Sequence, residues 1–134
     1  CANNFRGVDP AIVRGFRAVV TSRIPAATSF SVGTSPVVLI VQRDERKANG
    51  RVIHNHDEVV AEVQKEFPGW SVEVFSDFPE APDPVTTCSM FRSADLVVGP
   101  HGAGFANLVC ARSGTVLLEF QQGGHSWDYE LLST

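Results

Sequence analysis

Val37-Val38-Leu39-Ile40-Val41 is an unbroken apolar run in which every residue but Leu39 is β-branched. It is too short for a helix of its own, and it lacks the polar alternation of a strand with one wet face. A strand buried on both faces satisfies it, and such strands belong to parallel sheets covered by helices on either side. The rest of the chain must therefore supply further strands and the helices that cover them, joined by right-handed crossovers.

The remaining segments read that way. Asp9-Pro10 is a helix start, with Ile12, Phe16, Val19 and Val20 at helical spacing as far as about Ser22 and Pro25 as the stop. Ala26 to Pro36, rich in Ser, Thr, Gly and Pro, is a connection. These observations divide the chain into an N-terminal helix and linker over residues 1–36 and a sheet domain over residues 37–134. Arg43 to Arg51 is polar and contains Asn49-Gly50, so an exposed loop is expected. Asn55 or Asp57 then caps a helix with an apolar face of Val59, Val60, Val63 and Phe67, stopped by Pro68-Gly69. Trp70 to Phe75 alternates, with Val72 and Val74 opposite Ser71 and Glu73, which suits a strand near the sheet edge. Asp83-Pro84 starts another helix with Val85, Cys88 and Phe91 inward. Leu96-Val97-Val98 is a third strand, and an α-helix from about Gly104 to Arg112 buries Phe105, Leu108 and Val109 before Gly114 ends it. Thr115 to Leu118 forms a fourth strand ending at Glu119-Phe120, and Trp127 to Leu132 begins a further helix. The fold class is α/β, a mostly parallel sheet with helices on both faces.

Composition narrows the function. The 134 residues carry a formal net charge of −4, and the lysines and arginines are scattered. Attraction to a polyanion needs a dense basic face, so no nucleic-acid partner is expected. No apolar run approaches the ~20 residues of a membrane span. Cys1, Cys88 and Cys110 form no CxxC pair. The last two lie in apolar helical stretches and read as small buried thiols, with a disulfide to Cys1 as the alternative. The chain begins at Cys1 without an initiator Met and is read as a piece of a longer protein.

In an open parallel sheet, ligands bind beyond the carboxyl ends of the strands, where the strand order reverses. The residues following the strands are Gln42-Arg43-Asp44, Gly99-Pro100-His101-Gly102-Ala103-Gly104, and Glu119. The sequence does not fix the strand order; if it is 2-1-3-4, Arg43 and His101 face one another across the crevice. Gly102-Ala103-Gly104 lets a phosphate approach the backbone at a helix N-terminus, and His101 adds a donor. The bland alternative is a tight turn that uses glycine for sterics alone. Arg43 and Arg51 are placed to fork onto a phosphate, or else are solvated loop charges, as Arg14, Arg46 and Lys47 are taken to be. Glu119 ends an apolar run, as an acceptor for sugar hydroxyls or one half of a strand-end salt bridge. His54, His56 and His125 show no metal-ligand spacing, so no metal is expected.

The segment Ala94-Asp95-Leu96-Val97-Val98-Gly99-Pro100-His101-Gly102-Ala103-Gly104-Phe105-Ala106-Asn107-Leu108 resembles the signature region of glycosyltransferase family 61. Upstream, Val37 to Arg43 is similar to that family's strand ending in Arg, and Arg51-Val52-Ile53-His54-Asn55 to its Arg-x-apolar-x-Asn helix start. Downstream, Gly114 to Glu119 is similar to its closing strand. Two departures are a longer loop from Asp44 to Gly50 and Phe105-Ala106 in place of Leu-Thr. The resemblance implies a Rossmann-like half of a GT-B fold that transfers sugar from a nucleotide donor, usually UDP-linked, with inversion and without a metal or other cofactor. It implies that Arg43, Arg51, His101 and the Gly102–Gly104 backbone neutralise the departing diphosphate. Asn55 would join the donor site, and Asn107 and Glu119 would orient donor or loop. It further implies a glycan or glycoprotein acceptor, an acceptor-binding N-terminal half of the same enzyme that holds the unassigned base, and a Golgi or ER lumen setting in a type II membrane protein.

Three rivals share parts of the pattern. An α/β-hydrolase has a similar oxyanion loop but needs a Gly-x-Ser-x-Gly elbow, and Gly124-His125-Ser126-Trp127-Asp128 lacks the last glycine. A dinucleotide-binding module needs a full G-x-G-x-x-G after a strand, which the chain lacks. A non-catalytic nucleotide-binding or interaction domain on the same fold is the third, because fold does not guarantee catalysis.

Overall fold

A computed structural model describes residue 11 and residues 35–43, 52–77 and 79–121. The elements run β1 (Val37–Gln42), α1 (His56–Glu66), β2 (Ser71–Ser76), α2 (Pro84–Ser93), β3 (Leu96–Pro100), a 3-10 helix (Ala103–Cys110) and β4 (Val116–Phe120). Apart from the helical Ala11, the helix expected after Asp9 lies outside the described residues, as do the loop 44–51 with Arg51 and the segment 127–132.

The four described strands form one parallel sheet in the order β2-β1-β3-β4. β1 pairs with β2 from Val37↔Ser71 to Gln42↔Ser76, and β3 with β4 from Leu96↔Val116 to Pro100↔Phe120. The chain therefore leaves β1 to one side for β2 and returns to its other side for β3. The reversal lies between the carboxyl ends of β1 and β3.

The alternation of side chains along β1 accounts for both layers. Val38 and Ile40 join Val59, Val63 and Phe67 of the α1 side in one buried cluster. Leu39 and Val41 join Phe91, Phe105 and Leu108 of the α2 and 3-10 side in the other. All four β1 residues are at most 1% exposed, so the run is apolar throughout because both faces are covered. Each such side chain contributes roughly 1.5–3 kcal/mol of burial.

Several expectations need correction. The helix after Gly102 is 3-10 rather than α. At three residues per turn, Phe105 and Leu108 stack inward while Val109 turns out and is 77% exposed. In α2 the inward stripe is Thr87 and Phe91; Val85 lies about 200° around the helix from Thr87 and is 79% exposed. Val74 on the edge strand is also exposed, and Phe75 on the opposite face is the buried residue. Cys88 and Cys110 are not free thiols: they form a disulfide that ties α2 to the end of the 3-10 helix, so neither partners Cys1. Asp83 caps α2 as expected, its Oδ1 accepting from the Val85 and Thr86 amides at 2.9 and 3.1 Å. The Thr86 hydroxyl, which donates to Asp83 Oδ2, is the foremost cause that holds the carboxyl below the usual range, and the two amides add to it.

At the amino ends of the strands, Asp95 is 7% exposed and joins three of them. Its Oδ2 accepts from the Val37 amide at 2.9 Å, and its Oδ1 from Arg112 Nη2 at 2.8 Å. Its main chain bonds Val37 O and Val116 N, both at 2.9 Å.

Candidate functional site

The strand order brings Gln42-Arg43, the turn after Pro100, and Glu119-Phe120 to the same end of the sheet. The backbone sets the turn first. The His101 amide donates to Phe120 O at 3.0 Å, which extends the β3–β4 ladder by one residue. Gly102 follows at φ 150°, ψ 180°, a conformation open essentially to glycine, and its carbonyl accepts from the Phe105 amide at 2.9 Å to open the 3-10 helix.

The glycines here serve the tip of β1. A Cβ at Gly99 would stand 2.8 Å from Val41 Cβ and 3.0 Å from Val41 O, and one at Gly104 would stand 3.1 Å from Val41 Cγ1. A Cβ at Gly102 would land on Arg43 Nη1, with Arg43 Cζ 2.8 Å away. The guanidinium thus lies across the turn, and Nη1 donates to His101 O at 3.5 Å, a long bond. Gly102 is buried beneath it.

His101 is held from the other side. Its Nδ1 stands 2.6 Å from Glu119 Oε1, with the two side chains 17% and 12% exposed. A carboxylate only accepts, so Nδ1 carries the proton in this bond. Glu119 Oε2 in turn accepts from Gln121 Nε2 at 3.0 Å. Glu119 thus makes the strand-end pair that its position suggests.

Beside this turn opens a cleft of about 390 Å³ between the end of β1 and the start of α1. Arg43, Val41, Gln42 and Pro100 form one wall, and residues 52–58 the other. Asn55 lines it at the N-cap position of α1. Its side chain makes no capping bond and instead donates to Glu58 Oε2 at 3.1 Å, so neither Asn55 nor Asp57 supplies the expected side-chain cap. Asn107 lies on the 3-10 helix, where its Nδ2 donates to Gly104 O at 3.0 Å and braces the turn. Ala103 is exposed at the head of that helix.

The structure therefore gathers Arg43, His101, Gly102, Gly104 and Glu119 at one point, with Asn55 across the cleft from Arg43. Arg51 lies outside the described residues. Among the described residues, no group of three or more His, Cys, Asp or Glu could hold a metal ion.

From the sequence, His56 reads only as a candidate metal ligand. It lines the cleft at the first position of α1, and its Nδ1 is buried without a hydrogen-bond partner among the described residues. Burial lowers its pKa below 6.5, against a smaller opposing pull from Asp57. The signal available was its place at a helix start beside the tip of the first strand.

A family model described as Glycosyltransferase 61 matches residues 4–118. No curated protein matches the chain significantly.

Proposed function

The chain belongs to glycosyltransferase family 61, and from that membership and the geometry at the strand tips we propose that its sheet is the donor-binding half of a GT-B enzyme. The cleft holds the diphosphate of a nucleotide sugar, UDP-linked in this reading, and the enzyme passes the sugar to a glycan or glycoprotein hydroxyl. The observation that carries the reading is the meeting of Arg43 with the His101–Gly102 turn beside a cleft of about 390 Å³, within the size range of small-ligand pockets.

In the reaction the acceptor oxygen bonds to the anomeric carbon as the bond to the phosphate oxygen breaks. The acceptor loses its proton to a base in the other half of the enzyme, and attack opposite the leaving group inverts the anomeric centre. Negative charge then builds on the diphosphate. Arg43 meets that charge with the forked donors of its guanidinium. His101 adds a ring held by Glu119. Because these donors are fixed before the charge forms, they stabilise the departing group without reorganising, the part a divalent metal plays in other transferases.

The Cys88–Cys110 disulfide favours a domain that matures in an oxidising compartment such as the ER or Golgi lumen. The test of the reading is titration of the full chain with UDP in EDTA. UDP binds without added metal, and Arg43→Ala and His101→Ala each weaken it by about tenfold or more, from the ~1.5–3 kcal/mol of a charged hydrogen bond, while leaving the fold intact. Unchanged affinity in both variants would place the pocket elsewhere.

A further inference from the structure

We propose that Gly102 is a positioning residue for Arg43: the absent side chain is the seat of the guanidinium, and the turn meets a phosphate through the arginine lying on it rather than through its own amides. The proposal rests on the donor-site reading above and gives Gly102 a different part in it. A phosphate-binding glycine leaves its main chain open to the ligand. Gly102 is buried, and Nη1 of Arg43 occupies the place where a Cβ would stand. Arg43 lines the cleft, and Gly102 does not.

The neighbouring contacts support the same division of labour. Gly99 and Gly104 admit Val41, so the glycines on both sides of Gly102 make room for the end of β1 as well. The strand tip is thereby brought close enough for Nη1 to reach His101 O. A long, flexible side chain loses less entropy on binding an anion when its head is already fixed. A flat guanidinium on a bare Cα is fixed in that way.

Two consequences of replacing Gly102 must be separated, because φ 150° is strained for any other residue. A double-mutant cycle does this, since the backbone strain is present in both variants that carry alanine at position 102 and cancels. The full chain is prepared as wild type, Arg43→Ala, Gly102→Ala and the double variant, and each is titrated with UDP in EDTA and melted without ligand. Arg43→Ala and Gly102→Ala are each expected to weaken UDP by about 10- to 100-fold. The double variant should bind no more weakly than Arg43→Ala, and its Tm should exceed that of Gly102→Ala, since removing the arginine relieves the overlap.

Multiplying losses of affinity, or wild-type affinity in Gly102→Ala, would overturn the proposal by making Gly102 a direct or an idle partner. If Gly102→Ala fails to fold, recovery of the fold in the double variant supports the seat, and failure of both assigns the glycine to backbone conformation alone and overturns it. Should Arg43→Ala keep full UDP affinity, the donor-site reading falls, while the melting arm still decides whether Gly102 seats the guanidinium.

Discussion

β3 and β4 carry a carboxylate paired with a cationic or basic side chain at each end, and the two pairs differ in what surrounds them. At the amino ends, Asp95 takes Arg112 at 2.8 Å and the Val37 amide at 2.9 Å while its own main chain bonds β1 and β4. At the carboxyl ends, Glu119 takes His101 at 2.6 Å, and the turn it braces lies under Arg43 beside an open cleft. The first carboxylate holds strands to each other, and its loss leaves the half-buried Val37 amide without its acceptor. The second holds a side chain whose ring belongs to the candidate site. Two chemically similar pairs at opposite ends of these strands therefore divide, on the proposed function, into one that sets stability and one that sets the geometry of binding.

The largest expected effect lies at the amino end. Asp95→Ala removes a charge-assisted bond and strands the Val37 amide, so it should cost about 3 kcal/mol in urea unfolding. Arg112 is partly exposed, so its share of that loss is small. Wherever the variant remains folded, UDP should bind with wild-type affinity. A large drop in affinity at full stability would break the division between the two ends.

Glu119→Ala should do the opposite. UDP affinity is expected to fall roughly tenfold as the ring loses its anchor, with a stability loss near 1 kcal/mol, the scale of one hydrogen bond. Glu119→Gln keeps an acceptor for Nδ1 and should recover part of the affinity. Identical losses in both variants would make Glu119 a direct contact of the donor instead of a brace for His101.

The stabilising frame and the site were not equally legible. The buried strand β1, the edge position of β2 and the cap at Asp83 follow from local patterns: a β-branched run, an alternation, an Asp-Pro start. The meeting of Arg43 with the turn after Pro100 was legible once that order was supposed, because it depends only on which strand tips are neighbours. What local pattern could not carry were contacts made by distant residues. Cys88 and Cys110 pair across two helices, and the 3-10 spacing that buries Phe105 and Leu108 but exposes Val109 is set by the sheet beneath. Gly102 illustrates the limit most clearly. Its spacing suggests either a phosphate or a tight turn, and the neighbour on it is a residue far upstream in the chain, Arg43 just past the end of β1.

His56 offers the smallest effect and a finer test of where the carboxyl-end site begins. Burial lowers its pKa from 6.5 in the folded chain, while the unfolded chain keeps the ordinary value. Between those two values the unfolded state binds more protons, so stability is fully present above about pH 6.5 and falls as pH drops through the folded value. The slope amounts to less than one proton, because Asp57 opposes the burial and the side chain is only partly enclosed. His56→Phe, which cannot take the proton, should flatten unfolding curves measured between pH 7 and pH 5, a range that follows from the ordinary histidine value. A bound diphosphate in the cleft would bring negative charge to the ring, raise its pKa as Asp57 does, and flatten the wild-type slope. If saturating UDP leaves that slope unchanged, His56 belongs with the frame of α1 rather than with the ligand.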